Sequence, residues 1–132
     1  MTERIIEKKD GPAGWLIFNN PDRRNAISVD MWEAIPQVLD RFAADPDIRV
    51  VVLAGEGDKA FVSGADISQF EKQRSGPEAV QHYEEIAETA QARIQTFDKP
   101  VLAINTATYW YALRKNGIKD RMPGWGSLLL EH

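Results

Sequence analysis

Residues 40–67 read DRFAADPDIRVVVLAGEGDKAFVSGADI. Three pieces of different character follow one another. The apolar spacing up to about Ala44 is helical, and Asp45-Pro46-Asp47 ends it. Arg49–Ala54 is an unbroken apolar run, the kind of strand buried on both faces of a parallel sheet. Phe61–Ile67 (FVSGADI) then brings Gly, Ala and Asp just beyond the end of that strand. It has too little polar chemistry for a nucleophile site and too much Gly and Ala for ordinary core.

The flanking segments extend the pattern in both directions. Upstream, Ser28 suits a helix N-cap, with Asp30 and Glu33 in the first turn where carboxylates complement the helix dipole. Met31, Ile35, Val38, Leu39 and Phe42 recur at helical spacing, and Pro36 among them predicts a kink. Before that helix, strands at Arg4–Lys9 and Gly14–Phe18 flank an Asp10-Gly11-Pro12 turn, a hairpin pattern. Downstream, Ser75-Gly76-Pro77 opens a helix striped by Val80, Tyr83, Ile86, Ala90, Ile94 and Phe97. Lys99-Pro100 stops it, and Val101–Ile104 is another buried strand. The order β-β-α-β-α-β argues for an α/β fold with right-handed crossovers.

Composition narrows the function classes. A chain of 132 residues with 43% hydrophobic side chains suits one globular domain with a real core. Its net charge of −4 gives no general attraction to nucleic acid. The absence of cysteine removes disulfides, thiolate catalysis and Cys-based zinc sites. The charged opening MTERIIEKKD lacks the apolar core of a signal peptide, and no apolar run approaches the roughly 20 residues of a membrane helix. A soluble cytoplasmic protein is the expectation. Charge is unevenly placed: residues 1–104 hold twelve basic and eighteen acidic side chains, whereas residues 105–132 hold four and two.

Several stretches invite a chemical reading. Gly55–Ala60 fits G-x-G-x-x-A after a strand, but Phe61-Val62-Ser63-Gly64 does not open a helix, and Glu56 and Asp58 would repel phosphate. Ser63 has no Gly two residues before it and so is no nucleophile elbow. The histidines, His82 in mid-helix and His132 at the end, form no metal or catalytic constellation. Gly64-Ala65 is a candidate backbone site: ligands of open α/β sheets bind beyond the carboxyl ends of strands, and an N–H aimed at a developing oxyanion needs small residues around it. The competing reading is a tight loop with Asp66 as a helix N-cap. Arg23-Arg24, in the turn Asn20–Ala26, either grips a phosphate or is a solvated pair.

Together the last two stretches resemble a known family. NPDRRNAIS (residues 20–28), followed about 35 residues later by FVSGADI, is similar to the enoyl-CoA hydratase/isomerase family, the crotonases. The linking DRFAADPDIRVVVLAGEGDKAFVSGADI and the later FDKPVLAIN agree, so the resemblance covers about residues 3–105. It implies a truncated crotonase-like spiral fold over 1–105, followed by an atypical tail over 106–132. It implies an acyl-CoA ligand, with coenzyme A as part of the substrate rather than a separate cofactor; no metal is expected, since the sequence offers no HExxH and no paired histidines. The thioester carbonyl of such a ligand is polarised by two backbone N–H groups, the first of which falls on Ala65. Gly64, Ala65, Asp66 and Ile67 would lie along the coenzyme, and Arg24 and Ala26 along its nucleotide end, with Arg24 as phosphate partner.

The pattern then departs. Where the family carries a Gly-Gly-Gly run opening a buried helix, this chain reads Asn105–Lys115, NTATYWYALRK. The second oxyanion donor and the catalytic glutamates of the family belong to that region and beyond. A weakly active or inactive acyl-CoA binder is therefore expected, or else a non-catalytic remnant or self-associating module. Homo-oligomers through the exposed sheet edge and the aromatic tail (Tyr109, Trp110, Tyr111, Leu113, Leu128–Leu130) are expected too.

Overall fold

The computed structural model describes residues 2–66, 77–104 and 115. Its elements are β1 (Ile5–Asp10), β2 (Ala13–Phe18), a 3-10 turn (Pro21–Arg23), α1 (Val29–Ala44), β3 (Val50–Gly55), α2 (Pro77–Gln95) and β4 (Val101–Ala103). The four strands and two helices each lie within about two residues of their sequence expectation. The four strands form one sheet in the order β1-β2-β3-β4. β1 and β2 pair antiparallel, with Glu7 opposite Leu16. β2 and β3 pair parallel with Leu16 opposite Leu53, and β3 and β4 parallel with Leu53 opposite Ala103. The two parallel steps are each bridged by a helix, as βαβ geometry requires.

Strand alternation selects one face of this sheet for the helices. Ile5, Leu16, Phe18, Val51 and Leu53 point to it and join Met31, Ala34, Ile35, Val38, Leu39 and Phe42 of α1 and Ala90 of α2 in a single buried core. Each fully buried aliphatic side chain there contributes about 1.5–3 kcal/mol. α1 runs unbroken through Pro36. The α2 stripe is buried unevenly: Ala90 is wholly enclosed, while Val80 at its N-terminal end stays 37% exposed. The helices are cross-braced at the surface, Trp32 Nε1 donating to Tyr83 Oη at 2.9 Å and Arg93 pairing with Asp40 at 2.8 Å.

Lys99, read in the sequence only as part of the Lys99-Pro100 helix stop, has a second role. Its ammonium donates to the carbonyls of Phe42 and Asp45, each at 2.9 Å, at the C-terminal end of α1. A cation there satisfies orphan carbonyls and opposes the negative end of the helix dipole. The start of β4 is thus tied to the end of α1. The Ser75-Gly76 helix opening and the aromatic tail lie outside the described residues.

Candidate functional site

The site is built where β2 and β3 end side by side, Phe18 opposite Gly55. After β2 the chain makes the turn 19–28, and after β3 it makes the loop 56–66. Asn25 joins the two. Its side chain is 1% exposed. Its Nδ2 donates to the Glu56 carbonyl at 2.9 Å and the Ala60 carbonyl at 2.7 Å, while its Oδ1 accepts the Asn20 N–H at 2.9 Å. Asn20 Nδ2 in turn donates to the Ala26 carbonyl at 2.9 Å. These contacts hold an unusual backbone: Arg24 and Asn25 lie at φ 52° and 56°, adjacent left-handed residues that are not glycine. Asn tolerates that region better than most residues, whereas Arg does not, so the turn stores strain that its hydrogen bonds offset.

The same two segments then run alongside each other. Ser63 N–H donates to the Arg24 carbonyl at 3.1 Å, and its hydroxyl to the Arg23 carbonyl at 3.1 Å. Ile27 N–H donates to the Gly64 carbonyl at 2.8 Å, and Asp66 N–H to the Ile27 carbonyl at 2.9 Å. Ile27 and Ala65 therefore form an isolated parallel bridge. Such a bridge uses the groups on either side of Ala65, so the N–H of Ala65 itself points away from Ile27. Ala65 is exposed, and no described residue accepts its N–H. Gly64 beside it has φ +123° and nothing within 4 Å of where a Cβ would stand. Among the described residues no side chain stands in front of this backbone, so that an incoming group can approach it closely. Phe61 anchors the loop from below, its ring edge-on to Phe18 at 5.7 Å between centroids.

The residues singled out in the sequence separate into two sets. Arg24, Gly64 and Ala65 are brought together on the surface, one turn against one loop. Ala26 and Asp66 are buried, at 7% and 8% exposure, and serve the inner side of the same constellation. Ile67 lies outside the described residues. Gly55 ends β3, residues 56–59 form an exposed turn, and the described residues 60–66 after it hold no helix. Ser63 spends its hydroxyl on the Arg23 carbonyl, and His82 sits exposed 3.8 Å from Glu33. Among the described residues no cluster of His, Asp and Glu could hold a metal ion, and no helix is long and apolar enough to cross a membrane.

Two contributors were not singled out from the sequence. Asn25 was visible only as part of a turn, because its carbonyl partners lie 31 and 35 residues away. Gly55 stood in the sequence as the first glycine of the G-x-G-x-x-A match, which gives no sign of its closeness to backbone. A Cβ there would fall 2.4 Å from both the Ala60 and Phe61 carbonyl oxygens and 2.7 Å from Asn25 Nδ2. Only glycine lets the loop fold back this tightly over the end of β3.

Comparison with known proteins bears on the same constellation. The profile of the enoyl-CoA hydratase/isomerase family matches residues 13–106. A Thermus thermophilus relative is 34% identical over 101 residues, covering 75% of this chain and 39% of its own length. The crotonyl-CoA hydratase of Syntrophomonas wolfei is 32% identical over 101 residues, 76% of this chain and 38% of its own. The crystal structure of an enoyl-CoA hydratase/carnithine racemase from Magnetospirillum magneticum superposes with a TM-score of 0.72 at 32% identity, over 78% of this chain and 39% of that one. The chain thus spans about two-fifths of the length of the relatives it matches. The matched region holds both the arginine turn and the Ala65 loop, and the chain belongs to the enoyl-CoA hydratase/isomerase family.

Proposed function

We propose that this chain binds an acyl-CoA thioester, or coenzyme A itself, across the Arg24 turn and the Gly64-Ala65 loop. The observation that carries this reading is the amide of exposed Ala65, directed away from its bridge partner Ile27 and flanked by a glycine whose Cβ position meets no described atom within 4 Å. That N–H donates to the thioester oxygen, where a charge-assisted bond strengthens as the oxygen becomes enolate-like. Arg24, exposed on the adjoining turn, meets a phosphate of the nucleotide end. Ala26, Gly64, Asp66 and Ile67 complete the wall, and residues 1–105 form the ligand-binding portion, with 106–132 a separate tail. The proposed setting is cytoplasmic.

Turnover is expected to be weak or nil in this chain. A missing oxyanion donor typically costs about 2.7–4 kcal/mol of transition-state stabilisation, and missing acid–base groups about 10²–10⁴-fold in rate. Calorimetric titration with coenzyme A and with crotonyl-CoA, beside the absorbance of the enoyl thioester, tests the proposal. Micromolar binding with little turnover is the expected result. No heat at millimolar ligand would refute it, and fast hydration would refute the inactivity.

A second reading, a self-associating module or structural remnant, is favoured by the two sheet edges. β1 presents Glu7, Lys8, Lys9 and Asp10 at its edge, whereas β4 is the uncharged Val-Leu-Ala, followed by Ile104 at 41% exposure. Unguarded edges pair with other chains. Association in light scattering without any coenzyme A binding is the outcome that would select this reading.

A further inference from the structure

We infer that Asn25 is the positioning residue of this site: it locks the Arg24 turn to the Ala65 loop so that the phosphate-binding guanidinium and the oxyanion-binding amide act as one unit. The inference rests on the thioester reading above but concerns a residue that touches no ligand in it. Asn25 is buried at 1% exposure, and its amide is fully engaged between segments far apart in sequence. Its Oδ1 fixes the turn from which Arg24 projects, and its Nδ2 gathers the Glu56 and Ala60 carbonyls of the loop that carries Ala65. Two carbonyls drawn to one NH₂ group set the direction in which the chain leaves Ala60. Four residues later Gly64 bonds to Ile27, and the bridge that aims the Ala65 N–H outward is formed.

The chemistry needs asparagine. Aspartate keeps the acceptor for Asn20 N–H but offers two carbonyl oxygens a negative charge instead of a donor. Glycine keeps the left-handed backbone and loses every side-chain bond. Neither substitution alters a group that the ligand is proposed to touch.

The test uses the full chain with Asn25→Asp, Asn25→Gly and, as a mild surface variant that folds in any case, Ser63→Ala, which removes only the bond to the Arg23 carbonyl. Amide hydrogen exchange needs no ligand. Exchange at Ser63 and Asp66, whose N–H groups bond to Arg24 and Ile27, is expected to rise at least tenfold in both Asn25 variants and a few-fold in Ser63→Ala. Exchange at Ile35 and Leu53 in the core should stay within about twofold. Coenzyme A affinity should fall at least tenfold. Arg24→Ala should weaken binding strongly in the native background and hardly at all on top of Asn25→Asp, because the two residues act as a unit. Unchanged exchange at Ser63 and Asp66, an equal rise throughout the core, or additive effects of Arg24→Ala and Asn25→Asp would overturn the positioning role. No coenzyme A binding by the native chain would instead overturn the thioester reading.

Discussion

Single residues in this chain matter most where backbone meets backbone. Gly55 is the clearest case, since the atoms a Cβ would strike are carbonyl oxygens 2.4 Å away rather than side-chain tips that could swing aside. Gly55→Ala is expected to destabilise by about 3 kcal/mol, the upper end of overpacking costs, read as a lower urea midpoint. A drop under about 0.5 kcal/mol would mean that the loop yields. Asp30 supplies a pH dependence. Partial burial pushes its carboxyl up, but the Ser28 and Thr2 hydroxyls donate to it and the Arg4 guanidinium stands nearby, so that it lies below its ordinary value. A folded-state carboxylate held low adds stability above its unfolded value of about 4 and loses it as pH falls through the folded value. Asp30→Asn should therefore flatten the stability profile below about pH 4 and leave its shape at neutral pH unchanged. An identical acid limb in both proteins would exclude the contribution.

The elements were legible in the sequence to different degrees, and packing explains the difference. α1 carries its own signals, with Ser28 at its start, a full apolar stripe and Asp45-Pro46 at its end, and the stripe is buried almost entirely. α2 carries a similar stripe, yet only Ala87 and Ala90 become buried. Ile94 packs against the core only partly buried, and Tyr83 meets α1 through its hydroxyl bond with Trp32, so apolar spacing overstated how much of the helix is core. The end of α1 also depends on a distant partner, the Lys99 ammonium seated on its last carbonyls. Lys99→Met keeps the aliphatic stem and removes the donor. It is expected to cost about 1–2 kcal/mol, measured by chemical denaturation, with faster exchange confined to the last turn of α1. A change below about 0.3 kcal/mol would show that water replaces the ammonium freely.

At the level of the whole molecule the sheet is asymmetric. The core residues of α1 and α2 meet Ile5, Leu16, Phe18, Val51 and Leu53, whereas Ile6, Trp15, Ile17, Val52 and Leu102 alternate to the opposite face. The indole N–H of Trp15, on that second face, is buried with no hydrogen-bond partner among the described residues. Leu102→Lys places a charge on this face, within the uncharged strand β4. It should shift the mass seen by light scattering toward the monomer if copies associate there, and an unchanged mass distribution would move the interface elsewhere. Hydrophobic period, turn residues and charge pattern alone were enough to establish the elements, their order, the α/β class and the two short stretches that carry the family likeness, because each of these is written in local spacing. The register of the strands, the clamp of Asn25, the need for glycine at position 55 and the turn of the Ala65 amide away from Ile27 came only with the folded chain. The Asn25 clamp and the Ala65 bridge depend on groups more than 30 residues apart meeting within hydrogen-bond distance, and Gly55 is hemmed in by the Ala60 and Phe61 carbonyls as well as by the distant Asn25 amide; local periodicity holds no information about such meetings.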